Sequence, residues 1–154
     1  MAHVRARVEP EELALVRRVL PAGGVALFES MAVADRRHGL DVAEKLLRAG
    51  HDDPDLLAAA ILHDAAKGRR MRLWHRIAGV LLEALAPSVL RRLADPSPAS
   101  WRHPLHLYLH HEPMSAELAT SAGCSPRLSG FITGETTDPD APLLRALKAA
   151  DDAS

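Results

Sequence analysis

Apolar residues recur at helical spacing along almost the whole chain. Leu13, Val16 and Leu20 fall on one stripe, as do Leu40, Ala43 and Leu47, and then Leu57, Ile61 and Leu62, because residues three and four apart share a face of an α-helix. Strand-like alternation is absent. Breaks fall at Pro21-Ala22-Gly23-Gly24, at residues 50–54, at Gly68, at Asp95-Pro96-Ser97-Pro98, and at residues 123–126 and 136–142, where proline and glycine punctuate the pattern. They divide the chain into about eight to ten short helices. Asp53-Pro54 supplies an N-cap with proline at the first helical position, and Asp140-Ala141-Pro142 opens the last helix in the same way, while Gly50 and Gly68 stand where helices close. The pattern predicts an all-α fold, a compact irregular multi-helix bundle whose core includes the apolar faces of residues 40–47 and 57–62.

Composition narrows the classes. With 154 residues, 47% of them hydrophobic, the chain has apolar material for one core, so residues 1–154 are expected to form a single domain. The loop of residues 95–100 is short enough to lie inside it. A formal net charge of -1 argues against a nucleic-acid or membrane surface, although local clusters such as Arg69-Arg70 could meet a phosphate. The lone Cys124 excludes an internal disulfide and a zinc ribbon, and is read as a small core residue. The longest apolar run, residues 56–62, is too short to cross a bilayer, and Glu9, Glu11 and Glu12 precede any apolar run, so a cytoplasmic location is expected. Trp74 and Trp101 are read as anchors between helices. Oligomeric state is left open, a homo-oligomer included.

The chemistry concentrates on histidine and aspartate. His63-Asp64 ends the helix that Asp53-Pro54 opens, behind the apolar Leu56, Leu57, Ala60, Ile61 and Leu62. An imidazole and a carboxylate at the end of an apolar helix need partners, because an unpaired buried charge is costly, and a divalent cation is one such partner. Upstream, His38 lies near the start of the preceding helix, within reach of His63-Asp64 if the two helices cross. Downstream, Leu143, Leu144, Leu147 and Ala150 define a last amphipathic helix that ends in Asp151-Asp152.

Arg37-His38-Gly39-Leu40, then Leu62-His63-Asp64-Ala65-Ala66-Lys67-Gly68, then Ala149-Ala150-Asp151 resemble the H…HD…D signature of HD-domain metal-dependent phosphohydrolases. The resemblance covers about residues 24–154. It implies a divalent metal (manganese, iron, nickel, cobalt, magnesium or zinc) held by His38, His63, Asp64 and Asp151, with Asp152 as the substitute for the last ligand. Two imidazoles and two carboxylates leave positions on an octahedral ion for water and a phosphate oxygen. The resemblance further gives Asp64 and Lys67 as catalytic residues, and Arg37, Lys67, His111 and Glu135 as substrate contacts. It implies hydrolysis of a nucleotide or another small phosphorylated metabolite. The other readings are a non-catalytic module that keeps a structural metal and binds a nucleotide or a protein, and a helical nucleic-acid binder, which the near-neutral charge disfavours.

A further histidine around Gly134-Glu135-Thr136 is common in such proteins and absent here, which counts against a two-metal site. The Gly-Tyr-Pro element of the cyclic-dinucleotide branch is absent too. Arg69, Arg70 and Arg72 form either a phosphate-binding rim or a solvated loop, and Lys67 either meets a phosphate or is a solvated C-terminal lysine favoured by the helix dipole. A second set, His103, His106, His110 and His111, has the one-turn spacing of a two-histidine metal clamp; surface histidines on a polar helix face are the commoner explanation of such a stripe.

Overall fold

The computed structural model describes residues 8–67 and 81–154. Helices α1 (Pro10–Val19), α2 (Ala22–Ser30), α3 (Val33–Arg48), α4 (Pro54–Leu62), α5 (Pro87–Leu93), α6 (His103–Ser121), α7 (Pro126–Thr133) and α8 (Ala141–Asp152) follow in order, with a 3-10 turn at Asp138–Asp140. No strand occurs among the described residues, and the all-α bundle expected from the apolar spacing is what forms. Gly68, Arg69, Arg70, Arg72 and Trp74 lie outside the described residues. Among those described, no helix is long and apolar enough to cross a membrane.

α4 is the axis of the bundle. Every residue from Leu56 to Leu62 is buried, and a helix that is apolar all round has no face to offer water, so it must lie inside. Helices α1, α3, α7 and α8 pack around it. Phe28, Leu40, Val42, Leu46, Leu128 and Phe131 complete the core, each large side chain adding about 1.5–3 kcal/mol by leaving water. Asp53 starts α4 as expected, its Oδ1 accepting the Leu56 N–H at 3.0 Å, and Gly50 closes the preceding connection in the left-handed region at φ 85°.

α3 meets α4 at a glycine. A Cβ on Gly39 would lie 2.6 Å from the carbonyl oxygen of Ile61 and 3.0 Å from that of Ala60, so the backbones touch where no side chain fits. The contact sits one residue after His38 and two before His63. It satisfies the crossing on which the proximity of those histidines depends.

Several local expectations are corrected. The predicted break over residues 21–24 is confined to Leu20-Pro21, and Gly23 and Gly24 enter the first turn of α2. There they serve packing: Gly23 lies against the Ala122 carbonyl, and a Cβ on Gly24 would be 3.2 Å from Cys124 Sγ. α3 opens at Val33, so His38 sits in its second turn rather than at its start. Asp140 occupies the N-cap position of α8 without accepting a hydrogen bond from that helix. Trp101 is 76% exposed rather than an anchor between helices, whereas Cys124 is buried as expected.

Asp140 instead joins a clasp around Arg127. The guanidinium donates from Nη1 to both Asp53 oxygens at 2.8 Å, and from Nε and Nη2 to Asp140 at 2.9 and 2.7 Å. It also lies over the Phe131 ring, 5.1 Å from its centroid. The clasp ties the start of α4 to α7 and to the entry of α8.

Two outcomes follow. Gly39→Ala forces the backbones of α3 and α4 apart; overpacking costs about 1–3 kcal/mol, and a backbone clash belongs at the upper end, beyond the roughly 1 kcal/mol that alanine normally gains in a helix. Differential scanning fluorimetry should show Tm several degrees lower, and an unchanged or higher Tm would refute the close crossing. The hydrogen bonds from Arg127 hold the Asp140 carboxyl below the usual carboxylate range, so the stability it contributes is present above the ordinary carboxylate pKa and is lost as pH falls through the lowered value. Arg127→Gln should therefore be less stable than the wild type at neutral pH, with the gap closing in acid. A gap independent of pH would show that the clasp acts by packing alone.

Candidate metal centre

α4 carries the first two members of the site to its end. The helix stops at Leu62, His63 is its C-cap residue, and residues 63–67 form a turn. His63 Nδ1 lies 2.8 Å from the Ala60 carbonyl; a carbonyl only accepts, so Nδ1 is the donor and the neutral ring presents the lone pair of Nε2. The His38 ring stands edge-on to it with centroids 5.2 Å apart. From the last turn of α8, Asp151 Oδ1 accepts from His38 Nε2 at 2.8 Å and lies 3.4 Å from His63 Nε2.

Asp64 closes the set from inside. Its side chain is 1% exposed, with Oδ1 3.5 Å from His63 Nε2 and 2.5 Å from Lys67 Nζ. Asp151 is 41% exposed, so solvent reaches the cluster from the α8 side. His63 Nε2 and both Asp64 oxygens have no hydrogen-bond partner among the described residues, although Lys67 stands against Asp64 Oδ1 as an ion pair. Single atoms of His38, His63 and Asp64 lie within 4.8 Å of one another and could hold a metal ion. Buried acceptors left without a donor are costly unless a cation satisfies them, and the imidazole and carboxylate donors suit a divalent transition metal. The residues present therefore fit such an ion.

α6 supplies the far wall. His111 Nδ1 donates to the Tyr108 carbonyl at 3.0 Å, leaving Nε2 facing Asp64 Oδ1 at 3.9 Å. One turn later, the fully buried Ser115 accepts the Ala66 N–H on Oγ at 3.0 Å. The sequence assigns Ser115 no role of its own; its signal there is its place four residues after His111, on the same helix face. A cleft of about 370 Å³ beside this junction is lined by Ala65, Ala66, Met114, Glu117, Leu118 and Ser121. A cleft of similar size, about 390 Å³, lies between α1 and α3 and shares no residue with the cluster.

The remaining sequence candidates fall elsewhere. Arg37 turns toward α1, where Nη2 pairs with Glu12 at 2.6 Å, and it also pairs with Asp41 of its own helix at 3.0 Å; its charge is engaged there rather than turned to the cluster. Glu135 follows Gly134, the left-handed C-cap of α7, and its side chain is exposed and joins none of the cluster. Asp152 is exposed, and Asp151 is the residue that reaches the histidines. His103, His106 and His110 stay on the outside of α6, while His111 alone of that set turns inward.

Electrostatics couple the members. Burial opposes charge on His63, but the neighbouring carboxylates of Asp151 and Asp64 outweigh it and raise its pKa. Burial likewise opposes charge on Asp64, and His63 and Lys67 prevail to lower it. Asp151 is held far below the usual carboxylate range by the hydrogen bond from His38 and the nearby His63 ring. Burial, with Lys67 nearby, lowers His111 and keeps it neutral.

Comparison of the chain with protein-family models, with curated proteins and with solved structures gives no match.

In metal-free protein, the raised His63 contributes stability that is complete below its ordinary pKa and lost as pH rises through the raised value; the lowered Asp151 contributes stability that is lost only in strong acid. Asp151→Asn removes the carboxylate charge that most raises His63. An NMR titration of the ring in the presence of a chelator should show its midpoint move down. An unmoved midpoint would mean that Asp151 does not engage His63 in solution.

Proposed function

We propose that the chain is an HD-type metal-dependent phosphohydrolase acting on a nucleotide or another small phosphorylated metabolite. The observation that carries this reading is the meeting of His38, His63, Asp64 and Asp151 from three separate helical segments, in the chain order of the H…HD…D signature. A divalent cation bound by these residues would make water a stronger nucleophile at neutral pH and draw charge off a phosphoryl group.

The chain's own groups have complementary tasks. The Ala60 carbonyl fixes the His63 tautomer, as partners of ligating histidines commonly do. Asp64 stays anionic in a buried position, so an oxygen of its carboxylate can orient water or take its proton. Lys67, 2.5 Å from Asp64 Oδ1, offers an ammonium to a phosphate oxygen at the same edge. Neutral His111 presents the lone pair of Nε2 across the site from Asp64, placed to accept a hydrogen bond from a substrate hydroxyl. The choice of substrate rests on the resemblance alone.

The unpartnered His63 and Asp64 atoms also favour a second reading, a non-catalytic module whose ion is a structural clamp. Phosphate release from a panel of nucleoside mono-, di- and triphosphates, assayed with manganese, decides between them. The enzyme predicts turnover that falls by about 10²–10⁴-fold in Asp64→Asn, the usual weight of a general base. Lys67→Met should mainly raise KM, by about 10-fold or more for one lost charge-assisted contact. Bound metal with no turnover on any panel member, together with a large fall in Tm on chelation, would replace the enzyme by the clamp.

A further inference from the structure

We infer that His106 and His110, with His103 beside them, form a second metal site on the outer face of α6, selective for a borderline ion such as zinc over magnesium. The inference does not depend on the phosphohydrolase reading.

His106 and His110 are one turn apart, so their side chains rise from the same strip of helix surface. Their ring centroids are 4.5 Å apart, and His103 extends the row at 5.9 Å from His106. His110 is exposed, and His103 and His106 are half-buried, so an ion can reach them from solvent. The rings meet obliquely, at 44° for His106 and His110, and the imidazole χ2 angle is broad and soft enough to turn nitrogens toward one ion.

A second observation concerns orientation. His103 Nδ1 lies 3.3 Å from the backbone carbonyl of Asp95, which only accepts, so Nδ1 carries the proton and Nε2 keeps its lone pair. That is the arrangement His63 has on Ala60 and His111 on Tyr108, and a ligating histidine commonly donates its other nitrogen in this way. Asp95 is itself fixed: Oδ1 accepts the Ser97 N–H at 2.9 Å, and Oδ2 lies 3.5 Å from Arg102 Nη2. Burial and the two neighbouring rings disfavour a proton on His106, leaving it a neutral ligand near neutral pH.

The outer site is separate from the inner one. Successive residues of a helix point about 100° apart, and His111 faces Asp64 while His110 faces solvent. Neutral imidazoles suit zinc, nickel or copper, whereas magnesium demands oxygen ligands. The inner site of mixed imidazole and carboxylate donors and the outer one of imidazoles alone could be loaded independently.

Zinc alone is the probe, titrated into the full chain by calorimetry, with NMR of the histidine rings as a second readout. Wild-type protein should take up one more zinc than a His106→Gln, His110→Gln double variant, and the rings of both residues should shift with zinc but not with magnesium. His103→Gln should weaken that zinc severalfold without abolishing it. In Asp64→Asn the outer zinc should persist. Equal zinc uptake by wild type and double variant, or ring shifts absent at His106 and His110, would overturn the site. Because both positions face outward, the double variant should keep the wild-type circular dichroism spectrum.

Discussion

The backbone contact between α3 and α4 at Gly39 governs the rest of the structure. Two helices ordinarily meet through side chains, which keep their backbones apart; here the missing Cβ lets the carbonyls of Ala60 and Ile61 approach α3 directly. The consequence is chemical as well as architectural. His38 is fixed beside that contact and His63 just beyond it, so their rings cannot avoid one another, and both then face Asp151 from α8. Burial on all sides of α4 supplies the force that holds the arrangement, since any outward movement would expose Leu57, Ile61 or Leu62.

The fold is largely legible in the chain because it rests on periodicity. Apolar residues three and four apart specify helices, and the unbroken apolar run of residues 56–62 marks α4 as central. What periodicity does not carry is the packing partner of a small residue. Gly23 and Gly24 read as a turn, and only the approach of Ala122 and Cys124 makes them helix-packing residues. Trp101 reads as an anchor by size alone, yet its side chain stays exposed among the described residues.

The candidate site divides along the same line. His63 and Asp64 are visible because polar residues at the end of an apolar helix are anomalous, and Asp151 because it ends an amphipathic one. Arg37 has the right neighbour but the wrong direction: helix geometry turns it toward Glu12 of α1 and toward Asp41, one turn further along α3. Glu135 follows a left-handed glycine that turns the chain at the end of α7, a change of course that spacing does not register. Ser115 is a small polar residue in a helix, unremarkable until Ala66 presents an N–H to it.

Charge balance explains why Lys67 belongs with the cluster and not merely near it. Asp64 is almost fully removed from water and held anionic, which demands positive charge at short range. His63 can provide it only while protonated, and a protonated imidazole is no longer a ligand. Lys67 provides it through its ammonium, which stands directly against Asp64 Oδ1. On the proposed reading, a second positive charge at His38, His63 and Asp64 would compete with that ammonium for the same oxygen. Lys67 would then be the residue freed to meet an anion, and the buried carboxylate would link metal occupancy to phosphate affinity through a single side chain.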